Sequence, residues 1–190
     1  MILEPFKVPI YTNTLSLDLD NKALASYCIN LSKSNKGRQV SNDGGWQSEN
    51  LPMSDISNLC NGILSEARKF ATSMSMVNTL AIDNIWANIN GYKDYNLPHK
   101  HPNTIYSGVY YVKVPKNSGL LTLVHPAADS MQYDWNNTTI TKRNLYNSEN
   151  WSLRAEVGRL YIFPGWLTHF VRSNSSKEKR ISFSFNIKVV

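Results

Sequence analysis

The sequence predicts a mainly β protein of the α+β kind, with its helices near the N-terminus. Three observations carry this. Apolar residues recur at three- and four-residue spacing in only two early segments, near 20–34 and 55–74. From Leu80 onward the period drops to two. Turn signals then cut the second half into short antiparallel strands at the spacing of a sandwich or barrel.

The 190 residues favour one domain spanning 1–190. They are 42% hydrophobic, with 10 Tyr and 5 Trp, which supplies a core and argues against a disordered chain. The formal charge of +6 permits an acidic or nucleotide-like substrate. The basic residues are scattered, however, as at Lys33, Lys36 and Arg38 or at Lys142 and Arg143, below the density of a nucleic-acid-binding stripe. The only two cysteines, Cys28 and Cys60, fall in amphipathic segments and read as buried free thiols, neither a disulfide framework nor a zinc motif. Met1–Pro5 lacks the basic and apolar regions of a signal peptide, and no stretch is long enough to span a membrane. The expectation is a soluble, cytoplasmic protein in a reducing compartment. The oligomeric state is not readable.

Taken in order, residues 5–17 read as an edge strand, because Pro5 and Pro9 cannot donate to a ladder. Asp18 or Asp20 can cap a helix carrying Ala23, Leu24, Tyr27, Cys28 and Leu31, which stops at Ser34–Gly37. Ser41–Ser48 reads as a loop by its Gly and polar content. Trp46 within it is either a cap on the core or a lid that touches substrate. Ser54 or Asp55 can cap a second helix through Ile56, Leu59, Cys60, Ile63, Leu64, Ala67 and Phe70. Two helices in the first half and almost none afterwards suggest helices covering one outer face of a β structure.

In the strand from Leu80, Ile82, Asn84, Trp86, Asn88 and Asn90 share one face, and Asp83, Ile85, Ala87 and Ile89 the other. A turn over 91–96 leads to the histidine pair and a strand at 104–114. Pro115–Gly119 reads as a hairpin turn into Leu120–Val124. Residues 126–150 are polar and Asn-rich and read as a long loop. Short strands follow at 151–157, 158–163, 168–173 and 179–189.

The chemistry centres on Pro98-His99-Lys100-His101-Pro102. In extended chain, residues two apart point the same way, so both imidazoles can converge on one point. A third histidine, His169, lies 68 residues after His101 at the start of a late strand. A small His set with open positions suits non-haem Fe(II), and imidazole also suits Zn, Ni and Cu. His125 precedes Pro126 at a strand end and reads as structural.

Arg180 follows His169 by 11 residues and opens a strand of perfect alternation. Arg180, Ser182, Ser184 and Asn186 face one way, and Ile181, Phe183, Phe185 and Ile187 the other. Alternation alone fits an ordinary surface strand. Taken with the histidines, the strand reads as inverted, its apolar face on the helices and its polar face lining a pocket. An Arg fork inside a pocket selects a carboxylate or phosphate.

Read together, these pieces resemble the 2-oxoglutarate and Fe(II)-dependent oxygenase superfamily, and within it an oxygenase family met in marine bacteria and their phages. The matching stretches are Gly44-Gly45-Trp46-Gln47-Ser48, Trp86-Ala87-Asn88-Ile89-Asn90, His99-Lys100-His101-Pro102, Ser107–Val112, Gly158–Trp166 with His169, and Arg180–Asn186. The resemblance implies a double-stranded β-helix, or jelly roll, with Fe(II) between its two sheets. It implies 2-oxoglutarate on the iron, its far carboxylate on Arg180 with Ser182, and Asn88, Asn90 or Tyr111 as further co-substrate contacts. It implies a dioxygenase using O₂, most simply a hydroxylase that converts 2-oxoglutarate to succinate.

The superfamily pattern is His-x-Asp/Glu with a distant His, whereas here His101 stands where the carboxylate is usual. Either His99, His101 and His169 form a three-His face, or the frame shifts to His101 and Asn103. A third possibility is that two histidines are completed by water, and Asp94 or Asp129 can also reach in from a loop. The three-His set is the favoured reading. Two other functions compete with an oxygenase. One is a non-enzymatic jelly-roll binding or structural module, which the missing carboxylate favours and Arg180 opposes. The other is a cupin-type protein, which lacks its usual Glu here, since none follows His101 before Glu149. Trp46 and Trp166 are candidate stacking residues for a nucleotide-like substrate.

Overall fold

The computed structural model describes residues 1–15, 19–135 and 138–190. Asp18 lies outside these. Asp20 caps the first helix, α1 (Asn21–Ser34), its carboxylate accepting from the Lys22 and Ala23 N–H groups. The second helix, α2 (Ser57–Ser73), starts differently from expectation. A single 3-10 turn over Met53–Ile56 leads into it and no side chain caps it. Neither Ser54 nor Asp55 serves: both lie within the 3-10 turn, and the Asp55 carboxylate accepts from the Tyr27 and Ser54 hydroxyls instead.

Eleven strands among the described residues form two antiparallel sheets. The early strands are β1 (Tyr11–Thr14), β2 (Asn42–Asp43), β3 (Trp46–Gln47), β4 (Leu80–Asn90) and β5 (Tyr95–His99). Then come β6 (Tyr106–Lys113), β7 (Leu121–Val124) and β8 (Asn150–Leu153), and finally β9 (Arg159–Pro164), β10 (His169–Val171) and β11 (Arg180–Val189). The large sheet has the order β1-β9-β6-β11-β4-β3, and the small sheet β2-β5-β10-β7-β8. The first strand sits at an edge as expected, but it is confined to Tyr11–Thr14 and includes neither Pro5 nor Pro9, and residues 16 and 17 of the expected span lie outside the described residues.

Three segments depart from the sequence reading. Ser41–Ser48 is not a free loop, since its two short strands pair with β5 and β4. Gly44 and Gly45 make the turn between them at φ +67° and +65°, where side-chain-bearing residues are strained. The region 126–150 is not all loop, since Ala128–Asp134 forms a third helix, α3, that buries Ala128 and Met131. Its 7 residues fall below the length at which periodicity can be read. His99 closes strand β5 rather than opening the next one, and His101 lies in the loop before β6.

Helix α1 packs on β6 and β4, and α2 packs on β4. Leu59, Ile63 and Phe70 of α2 share one core with Ile85, Ala87 and Ile89 of β4 and Ile181, Phe183, Phe185 and Ile187 of β11. Each such large side chain contributes roughly 1.5–3 kcal/mol by leaving water. Strand β11 is therefore inverted as predicted, with its apolar face on the helices. Ile82 is a correction. It joins this apolar core rather than the polar face, because the β4–β11 ladder runs from Asn186–Asn84 to Ile187–Ile82 and leaves Asp83 bulged. A second core, including Val109, Tyr111, Leu121, Leu123 and Phe163, lies between the sheets. Both cysteines are buried and free. Among the described residues, no helix is long and apolar enough to cross a membrane.

Candidate metal and anion site

Strand register assembles the site. On the small sheet, His169 of β10 stands opposite His99 of β5, and the chain turns back so that the His101 N–H donates to the Gly165 carbonyl at 2.9 Å. The ligand atoms of His99, His101 and His169 all lie within 4.8 Å of one another. Ring centroids are 4.3 Å apart for His99–His169, 5.1 Å for His99–His101 and 5.2 Å for His101–His169. The three-His reading thus gains its geometry. Asn103 sits at φ +59° and does not line the pocket that the three histidines share. Asp94, whose carboxylate accepts from the Gly91 N–H at 2.6 Å, and Asp129, which lies on α3, do not join the cluster.

The protonation state suits a metal. Nδ1 of His99 lies 2.8 Å from the Leu97 carbonyl, and Nδ1 of His169 lies 2.9 Å from the Leu167 carbonyl. A carbonyl only accepts, so each Nδ1 carries the proton and each Nε2 keeps its lone pair. Burial pushes His169 down to about 3 and His101 down to about 4, with His99 adding to both, and burial also lowers His99. All three imidazoles are neutral near pH 7, as ligation requires. Phe163 packs edge-on to His169 with centroids 4.8 Å apart, and Trp86 lies 5.8 Å from His101.

Across the same pocket stands Arg180, only 2% exposed. The ladder β4-β11-β6 sets Arg180 beside Asn90, and Ser182 between Asn88 and Tyr111. All five line the pocket with the three histidines. Arg180 is held by neutral oxygens. Its Nη1 donates to the Ser118 carbonyl at 2.8 Å and the Gly119 carbonyl at 3.2 Å, and its Nη2 donates to Asn90 Oδ1 at 2.8 Å. Nε is buried without a partner, and no carboxylate among the described residues forms an ion pair with Arg180. Burial accordingly disfavours its charge. Two of its five N–H groups, on Nε and Nη2, remain for a carboxylate. Burial also pushes the Tyr111 hydroxyl up to about 12, so it stays a neutral donor. Asn88 Nδ2 donates to Ser184 Oγ at 3.0 Å.

Some functional groups escaped the sequence reading. The carbonyls of Ser118, Gly119, Leu97 and Leu167 are main-chain atoms, and residue identity does not announce them. Gly119 alone carried a signal, as part of a turn. It sits at φ +82°, where a Cβ would lie 2.0 Å from the Arg172 carbonyl. The structure does not bring Trp46 or Trp166 to the pocket. The Trp46 indole N–H donates to the Asn35 carbonyl at 2.9 Å, and the ring packs on the helix-bearing core, so it is a cap and not a lid. His125 is also outside the pocket, as expected.

Three neutral histidines that could hold a metal ion thus share one pocket, between two antiparallel sheets, with a buried arginine that forms no ion pair among the described residues. Residues 84–186 match the family model described as "Putative 2OG-Fe(II) oxygenase", and the chain belongs to this family, whose cofactors are Fe(II) and 2-oxoglutarate. No curated protein matches the sequence. Among solved structures, the chain resembles the non-haem α-ketoglutarate-dependent epimerase SnoN from nogalamycin biosynthesis, with a TM-score of 0.71 at 14% identity over 96% of this chain and 77% of that one. It also resembles a Pseudomonas putida prolyl-4-hydroxylase, with a TM-score of 0.65 at 12% identity over 96% and 94%. A third is HygX of Streptomyces hygroscopicus, solved with nickel and 2-oxoglutarate bound, with a TM-score of 0.62 at 9% identity over 96% and 83%. At these identities the likeness is one of fold.

Proposed function

We propose that this chain is a single oxygenase domain over residues 1–190, its two sheets forming a double-stranded β-helix with α1 and α2 on the outer face of the large one. It acts as an Fe(II)- and 2-oxoglutarate-dependent dioxygenase that hydroxylates its substrate. The observation that carries this reading is the pairing in one pocket of the three-His cluster with the uncompensated Arg180.

His99, His101 and His169 hold the metal, His99 and His169 through the Nε2 lone pairs that their Nδ1 bonds leave free. Arg180 receives the distal carboxylate of 2-oxoglutarate on its free N–H groups. Ser182 and the neutral Tyr111 hydroxyl lie beside it as further donors, and Asn88 stands cross-strand from Ser182 in the same pocket. Val109, Leu121 and Phe163 form an apolar wall of the pocket. Bound Fe(II) with 2-oxoglutarate and O₂ supplies oxidative decarboxylation to succinate coupled to hydroxylation of a C–H bond. Beyond Arg180 and the neutral histidines the pocket lining is uncharged, so an acidic or nucleotide-like substrate presents its charge outside the pocket. The buried free thiols support a reducing, cytoplasmic setting.

The test is succinate formation by the Fe(II)-loaded protein with 2-oxoglutarate and O₂ but no added substrate. Slow formation that stops in His169→Ala and in Arg180→Ala supports the proposal. Metal binding with no 2-oxoglutarate consumption would replace it with a metal-holding binding module.

A further inference from the structure

The pocket's anion specificity depends on what holds Arg180 as much as on Arg180 itself. A buried guanidinium ordinarily acquires a carboxylate, because an unpaired buried charge is costly. Here every oxygen that grips it is neutral, two being main-chain carbonyls and the third the amide oxygen of Asn90. Asn90 is 2% exposed and directly cross-strand from Arg180, so its side chain is fixed by register. Its own strand end is latched, since Asn174 Nδ2 donates to the Asn90 carbonyl and to the Glu178 carbonyl, both at 2.9 Å. Asp94 acts on Arg180 through space without an ion pair, and its carboxylate accepts from the Gly91 N–H.

We infer that Asn90 is a positioning residue. It aims Arg180 without neutralising it and so reserves the charge for the distal carboxylate of a dicarboxylic 2-oxo acid. The inference rests on the functional reading above. An acid of the same shape at position 90 would complete an internal ion pair with Arg180 and close the anion site from within. A purely structural role for Asn90 makes the opposite forecast, in which the isosteric Asp is tolerated and truncation to Ala is the damaging change.

The experiment compares wild type, Asn90→Asp and Asn90→Ala in two settings. With Fe(II) and no O₂, 2-oxoglutarate and the monocarboxylate pyruvate are titrated separately. Asn90→Asp is expected to weaken 2-oxoglutarate by about tenfold or more, the scale of a lost charge-assisted contact, and to leave pyruvate unchanged. Asn90→Ala is expected to weaken 2-oxoglutarate by less. In the metal-free protein, glutarate is used as a probe of thermal stability. Wild type should gain stability with glutarate. Asn90→Asp should melt higher than wild type without ligand and gain nothing from glutarate. Equal 2-oxoglutarate affinity in Asn90→Asp, a larger loss in Asn90→Ala, or parallel losses for both 2-oxo acids would overturn the inference. If the wild type shows no 2-oxoglutarate effect on Fe(II) but keeps the glutarate response with its Asn90→Asp loss, the oxygenase reading fails and the cradle stands.

Discussion

His99 and His169 face each other across the β5–β10 ladder, their rings 4.3 Å apart, and each ties its Nδ1 to the carbonyl two residues before it. The same local device, used twice, orients two imidazoles from neighbouring strands toward one point. Metal affinity should therefore depend on these two residues most. His169→Ala and His99→Ala are each expected to abolish stoichiometric Fe(II) binding in an anaerobic titration, with the fold retained by circular dichroism. Stoichiometric binding in either variant would show that the metal sits elsewhere.

His101 stands in the loop after β5, and its ring makes no comparable main-chain bond among the described residues. A carboxylate at this position restores the commoner ligand pattern. His101→Asp is expected to keep Fe(II) and the 2-oxoglutarate response, because an anionic oxygen suits the metal as well as imidazole does. Loss of metal in His101→Asp would mean that the loop demands the longer ring.

Acid should unfold the metal-free protein earlier than its carboxylates alone dictate. His101 and His169 titrate near 4 and 3 when folded, against 6.5 for a free imidazole. Between these values the unfolded chain binds more protons, so stability rises with pH across the window. Acidification from pH 6.5 toward 4 is thus expected to lower the urea midpoint, and His169→Leu should flatten that slope. A midpoint that is constant across the window in the metal-free wild type would refute the burial of neutral imidazoles.

Arg180→Met removes a buried charge that has no ion-pair partner among the described residues. Its stability should change by no more than a few kcal/mol, roughly, because removing an unpaired buried charge offsets the cost of leaving the Ser118 and Gly119 carbonyls and Asn90 Oδ1 without their donor. Its 2-oxoglutarate affinity should fall by at least about tenfold. Calorimetry and titration of the same sample separate the two effects. A strongly destabilised Arg180→Met would instead make the arginine a structural post.

Phe183→Ala empties a fully buried position between the large sheet and its helices. About 3–5 kcal/mol of stability should be lost, as for other large aromatic truncations. The folded fraction should still bind metal, because Phe183 is on the face of β11 away from the pocket. Denaturant melts read the first quantity and Fe(II) stoichiometry the second.

Much of this arrangement was legible from residues alone, wherever the signal was local. Period two in Arg180–Ile187 gave the two faces of β11, and His-x-His gave two convergent imidazoles. The inversion of β11 was legible only because Arg180 and the histidines made a polar interior chemically sensible. What was not legible depends on partners far away in sequence. The bulge that turns Ile82 inward belongs to the pairing of β4 with β11. The grip on Arg180 comes from carbonyls some 60 residues before it, which carry no residue signature. Trp46 was ambiguous because its partner, the Asn35 carbonyl, is equally anonymous.

The most direct test of the account is anaerobic absorption spectroscopy of the Fe(II)-loaded protein as 2-oxoglutarate is added. A weak visible charge-transfer band should appear with one equivalent in wild type, be absent in His169→Ala, and need a large excess of 2-oxoglutarate in Arg180→Met. No band in wild type at any 2-oxoglutarate concentration, with Fe(II) demonstrably bound, would contradict the claim that the three histidines and Arg180 form one co-substrate site.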